Sequence, residues 1–241
     1  WADDFSSSQF QQQLGEWLES GSYAVVCEHA QPFSAIDAPP EGAELGKTLA
    51  EQLQRDKAVM GVFDEGCMGM FNAIIPDALL HPTGVFKERL SQSALYYETQ
   101  QTSDDQARAV RAWMEERGMQ FKTGPVHEKD LTDEQIHLQC KMYIAALRIA
   151  DDFGCDLIGI QYQQGLKDLL PASDLVEGTL NNRERPPVTS RDGSRILYDG
   201  EPLVHFNEVA ECAGLDERMA CRVHTAMNRP VENKLPDISG G

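Results

Sequence analysis

The stretch that most constrains the fold is residues 131–165, which predict a helix followed directly by a buried strand. Thr132 and Gln135 have the spacing of a capping box at a helix start. Gly154 stands where a left-handed residue ends a helix. One face of this helix is apolar and consists of Ile136, Cys140, Tyr143, Ile144 and Leu147. We expect Ile144 and Leu147 to be buried against a sheet.

The strand that follows occupies residues 155–162, which are mostly apolar and too few for a helix. Such a run is typical of a strand buried on both faces, as parallel sheets require. Residues 58–63 have the same character, so the two strands are predicted to be parallel neighbours or near neighbours. Ligands in open α/β sheets lie beyond the carboxyl ends of strands, and here polar Gln163 and Gln164 follow the strand end.

Helices and strands alternate along most of the chain, which predicts an α/β fold with a Rossmann-like parallel sheet flanked by helices. A hairpin of two short strands is expected around the dipeptide Asp199-Gly200. Further helices are predicted at residues 9–20, 43–56, 83–100, 103–118, 171–182 and 208–229, and a further strand at 23–27.

Charge and composition exclude several classes of partner. The chain has 21 basic and 39 acidic residues, a net charge of −18, and no basic cluster, so no nucleic-acid partner is expected. It has neither a signal peptide nor an apolar run of membrane length, so we expect a cytoplasmic protein without a membrane partner. Its six cysteines lack C-x-x-C spacing and are expected to be reduced structural thiols. Since it begins without Met and ends Ser-Gly-Gly, we expect a fragment of a longer protein.

Carboxylates at strand ends are the candidates for chemistry. Asp64 and Glu65 follow a predicted strand and precede a Gly-rich loop, which fits a ligand contact and a tight turn equally well. Glu208 ends the short apolar strand at 203–207, where a carboxylate could hold a divalent cation or act as a general base. The alternative for Glu208 is a surface acid favoured by the N-terminus of the next helix.

Five stretches in this order resemble the L-fucose isomerase/L-arabinose isomerase superfamily, particularly its fucose isomerase-like members, over about residues 45–240. KAVMGVFDEGCMGM resembles the strand and loop that open the family's second domain. Residues 131–166 resemble the central helix and strand of that domain. DLVEGTLNN resembles the turn that follows them in the family. SRILYDGEPLVHFNEV resembles the approach to the first metal-binding Glu, and LPDI resembles the strand that presents the second acidic ligand.

The resemblance implies a metal-dependent aldose–ketose isomerase that acts on a free sugar such as L-fucose or L-arabinose through an enediol. Glu208 and Asp237 would bind the divalent metal, with manganese expected, and act as acid/base groups. Met68 and Asn182 would line the sugar site. The third metal ligand of the family, a His, lies beyond this chain, so the fragment alone is expected to be inactive.

The resemblance also implies a domain division and an assembly. Residues 1–56 would be the tail of a first α/β domain, 57–182 a second Rossmann-like domain, and 183–241 the start of a truncated metal-bearing segment. A homo-oligomer is expected, because the site of this superfamily forms where subunits meet. The alternative is a non-catalytic sugar-binding α/β protein, which would not need the acidic pair Glu208 and Asp237.

Overall fold

The computed structural model describes residues 5–22, 31–32, 35, 39–65, 74–126, 129–163, 165–207 and 210–227. The chain forms two compact units, Trp1–Ala43 and Glu44–Gly241. The helices are α1 (Ser8–Ser20), α2 (Pro40–Asp56), α3 (Asp77–Leu80), α4 (Gln92–Gln101), α5 (Asp104–Glu116), α6 (Asp133–Asp152), α7 (Asp174–Leu180) and α8 (Glu211–Ala226). The strands are β1 (Ala58–Phe63), β2 (Val85–Leu90), β3 (Leu157–Ile160) and β4 (Val204–Asn207).

The four strands form one parallel sheet in the order β2-β1-β3-β4, which confirms the predicted α/β fold. The predicted parallel pairing of the first and third strands is also confirmed, with Phe63 opposite Ile160. β4 comes from the segment 183–241 and continues the same sheet, with Asn207 opposite Ile160 on the other side of β3. All four strands therefore end in register at the same edge of the sheet, at Leu90, Phe63, Ile160 and Asn207.

Helix α6 provides most of the core on one face of the sheet, here called the α6 face. The predicted capping box is present: Thr132 Oγ1 accepts from Gln135 N and Gln135 Oε1 accepts from Thr132 N. Gly154 follows the helix with a φ of 63°, the left-handed conformation predicted for it. Ile144 and Leu147 are buried in the core of this face, as predicted, and pack with residues of α4, α5 and α7.

The opposite face, here called the α8 face, has a smaller core built around Phe206 of β4. Phe206 packs with Met60, Val62 and Leu157 of the neighbouring strands. Its ring lies where a side chain at Gly159 or at Gly214 of α8 would have to be. The two glycines therefore allow the ring to fit between β3 and the first turns of α8.

Residues 83–100 were predicted to be one helix, and this prediction is wrong. Residues 85–90 are strand β2, paired with β1 from Ala58↔Val85 to Phe63↔Leu90, and a helix begins only at Gln92. The apolar positions 86, 90, 94 and 97 imitate a helical face, but the backbone groups of 85–90 pair with the free edge of β1. Gly84, with a φ of 94°, packs against the backbone at the end of α2 and directs the chain into the sheet.

The predicted hairpin around Asp199-Gly200 is also wrong. Gly200 does adopt a positive φ of 70°, but the chain after it pairs with β3 in parallel. Ile196 makes only an isolated antiparallel bridge, with Thr189. The open edge of β3 offers four residues of parallel pairing, which outweighs a local turn preference.

Four cysteines belong to the described residues, and all four are free thiols. Burial raises the pKa of Cys140 to about 11 and that of Cys155 to about 12, so both stay protonated and unreactive. Cys27 and Cys67, and the strand predicted at 23–27, lie outside the described residues. Among the helices that the structure describes, none is long and apolar enough to cross a membrane.

Candidate functional site at the carboxyl edge of the sheet

The strand order creates a switch point between β1 and β3. From β1 the chain first moves outward to β2 and then returns to the other side of β1 to form β3. Ligands of open α/β sheets bind in the crevice outside such a point. Asp64 and Gln161 are the first residues after β1 and β3. Their N–H groups still bond to the neighbouring strands: Asp64 N donates to Leu90 O at 3.0 Å, and Gln161 N donates to Phe63 O at 3.2 Å.

Gln161 and Gln92 fix the backbone at this switch point. The Gln92 side-chain amide donates to the carbonyl of Gln161, and Gln161 Oε1 accepts from Gln163 N at 2.9 Å. Gln161 is 1% exposed, and its Nε2 has no hydrogen-bond partner among the described residues. Sequence reasoning overlooked Gln92 because it assigned that segment to the middle of a helix rather than to the start of one.

The end of β4 presents a second polar group to the same edge. Asn207 is the last residue of β4, and its Oδ1 is buried and accepts no hydrogen bond from the described part of the chain. Two residues earlier on the same side of the strand, His205 is fully buried. Its Nδ1 lies 3.8 Å from Glu177 Oε2 of α7. The His205 ring and the Oδ1 atom of Asn207 are thus both buried near the carboxyl end of β4, directly before Glu208 in the sequence.

Asn181, not Asn182, makes the contacts that position β4. Asn181 Nδ2 donates to His205 O at 2.9 Å, and its Oδ1 accepts from His205 N at 2.6 Å. The Asn181 side chain thereby satisfies the backbone groups of His205 that a further strand would pair with at the outer edge of β4. Asn182 donates to Gly178 O at the end of α7. A sugar contact for Asn182 stays a prediction.

A buried group of charges lies on the α8 face beside the switch point. Lys87 of β2 is 1% exposed, and its Nζ lies 2.5 Å from Glu65 Oε1 and 2.9 Å from Glu211 Oε1. Glu211 Oε2 also accepts from Ile75 N at 2.6 Å. Arg89 pairs with Glu65 at 2.9 Å and with Asp77 at 3.1 Å. This charge cluster ties the ends of β1 and β2 to the start of α8.

The cluster sets the protonation of its members. Burial alone would lower the pKa of Lys87, but hydrogen bonds to Glu65 and Glu211 hold it above its usual value. Burial would raise the pKa of Glu65, yet bonds from Lys87 and Arg89 hold it below the usual value. For Glu211 burial prevails and its pKa is raised. Sequence reasoning selected Glu65 as a candidate, but Lys87 and Glu211 carry no local signal of their pairing.

Three of the four predicted site residues, Met68, Glu208 and Asp237, lie outside the described residues. Among the residues that are described, no group of three or more His, Cys, Asp or Glu side chains is arranged to hold a metal ion. Of the predicted site, the structure therefore describes Asn182 and the ends of β1, β3 and β4.

The chain matches no known protein-family model. No curated protein shows significant similarity to it.

Proposed function

We propose that this chain carries part of a metal-dependent aldose–ketose isomerase that acts on a free sugar such as L-fucose or L-arabinose. The observation that supports it is the parallel pairing of β4 with β3, in which Asn207 lies opposite Ile160. Residue 208 follows a strand that ends at the carboxyl edge of an open α/β sheet, beside a switch point. The resemblance of HFNEV to the first metal-binding segment of the superfamily assigns the carboxylate at that position.

The metal in this proposal is divalent, with manganese expected, and Glu208 and Asp237 hold it. Among the described residues, Asn207 offers an oxygen that suits a metal ion near this strand end. Its amide Oδ1 is buried and accepts no hydrogen bond within the described residues. Oxygen ligands are those that hard divalent cations prefer. When bound, such an ion polarises the sugar carbonyl as a Lewis acid. Glu208 and Asp237 move the proton between adjacent sugar carbons.

A homo-oligomer belongs to the same proposal, since the superfamily that the chain resembles builds its site between subunits.

The test is the Glu208→Gln variant of the longest natural chain that contains this sequence, assayed for aldose–ketose interconversion of L-fucose and L-arabinose with manganese and with a chelator. The substitution keeps the size of the side chain and removes the charge. We expect turnover to fall by roughly 10²–10⁴-fold, as for one general acid/base, with little rescue by added manganese. Glu201→Gln, an exposed change before β4, is the matched control and should leave turnover unchanged.

Near-normal, metal-stimulated turnover by Glu208→Gln would reject the role of Glu208. An unsubstituted protein that interconverts neither sugar with any divalent ion would reject the proposal for these two substrates. Sugar binding that a chelator does not affect, without turnover, would favour a non-catalytic binding protein.

A further inference from the structure

The outer edge of β4 is closed by hydrogen bonds, although no fifth strand lies beside it among the described residues. Alternate residues of a strand direct their backbone groups to the same side, and those of Leu203 and His205 point away from β3. Leu203 N donates to Leu180 O at 3.1 Å. Both backbone groups of His205 bond to the Asn181 side chain, at 2.9 and 2.6 Å. The end of α7 therefore stands where a further strand would pair.

Asn181 is held in place by α7. It is the residue directly after the helix, is 5% exposed, and donates its own backbone N–H to Glu177 O at 3.1 Å. Val176 and Leu180 of the same helix are buried in the core of the α6 face. The orientation of the Asn181 amide is fixed by its partners, because a carbonyl group only accepts and an N–H only donates. Asn181 therefore presents one donor and one acceptor to β4 from a fixed base.

The two bonds from Asn181 support a very short strand. β4 contains four residues and pairs with β3 on one side only. His205 is 0% exposed, so without Asn181 its N–H and carbonyl groups would be buried without a partner, which is unfavourable. Two residues later the strand ends at Asn207, whose carbonyl accepts from Ala210 N at 2.9 Å. The place of the strand end therefore depends on how Asn181 holds His205.

We propose that Asn181 is a positioning residue: by holding His205 it fixes the carboxyl end of β4, and with it the place of Glu208, the next residue in the chain. The role of Glu208 as a metal ligand rests on the proposed function. A metal ligand has to be held in a narrowly defined place, and groups that orient it support binding and activity. Asn181 acts through β4 and is not itself a ligand.

The first test follows hydrogen exchange of the His205 backbone amide in the protein of residues 1–241. Asn181→Leu is similar in size and removes both hydrogen bonds, so this amide should exchange at least roughly tenfold faster. Tyr143→Phe is the matched control, since it removes another buried hydrogen bond, from Tyr143 Oη to Pro186 O at 2.6 Å, in the connection between α7 and β4. A general loss of stability would speed exchange in both variants, whereas loss of the Asn181 bonds should speed it in Asn181→Leu alone.

Asn181→Asp gives a second test that does not require the leucine variant to fold. At neutral pH the new carboxylate can accept from His205 N but cannot donate to His205 O. The protonated carboxyl group can do both, so the fold favours it and the variant should regain stability as the pH falls towards about 5. The difference in urea midpoint between Asn181→Asp and the unsubstituted protein should narrow over this range, whereas that of Asn181→Leu should not.

The third test measures manganese binding and turnover of the same variants in the longest natural chain that contains this sequence. Asn181→Leu should raise the dissociation constant of manganese and lower kcat by roughly 10–100-fold, the range typical for loss of a group that orients a metal ligand. The KM for L-fucose or L-arabinose should change little. Tyr143→Phe should leave all three quantities unchanged.

The hold on β4 would be overturned by an unchanged exchange rate of the His205 amide in folded Asn181→Leu, or by a midpoint difference that does not narrow for Asn181→Asp. Faster exchange with the manganese affinity of Tyr143→Phe would overturn the positioning role and leave the isomerase intact. Manganese binding without turnover of either sugar would reject the isomerase alone, because exchange and manganese affinity still decide the role of Asn181. No manganese binding by the unsubstituted protein would overturn both.

Discussion

Lys87 illustrates how a charge can be buried in a strand of a small sheet. Its side chain is 1% exposed, and its ammonium group lies between the carboxylates of Glu65 and Glu211; the side chain of Glu211 is 0% exposed. Isolated charges are costly to bury, so each member depends on the others. The residues come from β2, the end of β1 and the first turn of α8. The cluster therefore holds three elements in place around the switch point.

Replacing Lys87 with Met should destabilise the protein by about 3–5 kcal/mol at neutral pH, since it leaves the Glu211 carboxylate buried without its cation. The loss should shrink as the pH falls towards about 5. A buried carboxyl group with a raised pKa stabilises the fold while protonated, and this contribution is lost as the pH rises through that pKa. Urea denaturation of both proteins at the two pH values measures the difference.

Lys167→Met is the control for this substitution. Lys167 is 55% exposed and pairs with exposed Asp168, so its loss should change the free energy of unfolding by at most about 1 kcal/mol. If Lys87→Met cost no more than Lys167→Met, or the same amount at both pH values, the charge cluster would not contribute in this way.

At the scale of residues, sequence reasoning succeeded where the signal is local. Thr132 and Gln135 cap α6 because the two partners are three residues apart and need no other element. Glu177 and His205 are 28 positions apart, and only the docking of α7 on β4 brings them together. Lys87 and Glu211 meet in the same way across 124 positions. Such pairs leave no periodic trace in the sequence.

At the scale of elements, α6 was predictable and β2 was not. Helix α6 has a long apolar face, a cap at each end and a strand directly after it, so several signals agree. Strand β2 contains Lys87, Glu88 and Arg89 in sequence, a charged run that propensity alone would not assign to a sheet. Its pairing depends on the free edge of β1, which is a tertiary property.

Leu147→Ala tests the burial of α6. Leu147 is fully buried in the core of the α6 face, so its truncation should lower the free energy of unfolding by about 2–5 kcal/mol. Leu169→Ala, at a position 56% exposed, should cost far less. Denaturant midpoints of the two variants give the comparison; equal midpoints would contradict the packing described for α6.

At the scale of the whole molecule, unit Glu44–Gly241 contains all four strands of the described residues and both cores that pack on them. A parallel sheet with helices on each face buries its apolar strands without further partners. The sequence predicted the parallel pairing of β1 and β3, whereas the positions of β2 and β4 at the two edges depend on tertiary pairing. The carboxylates predicted for the metal lie outside the described residues.

A chain of residues 39–241 should therefore fold without residues 1–38. It keeps the whole of α2 and every residue of the two cores. We expect a single cooperative unfolding transition with a urea midpoint close to that of residues 1–241, and far-UV circular dichroism typical of an α/β protein. Loss of the cooperative transition on removal of residues 1–38 would show that the second unit needs the first.

The ring of Phe206 has a consequence for the history of this protein. It fills the space that side chains at Gly159 and Gly214 would need, so the sizes of the residues at these three positions are coupled. Evolutionary change at one of them is constrained by the other two: a relative with a larger residue at 159 or 214 should carry a smaller one at 206. Because Phe206 immediately precedes Asn207, selection on the strand end would extend to two glycines that take no part in any chemistry.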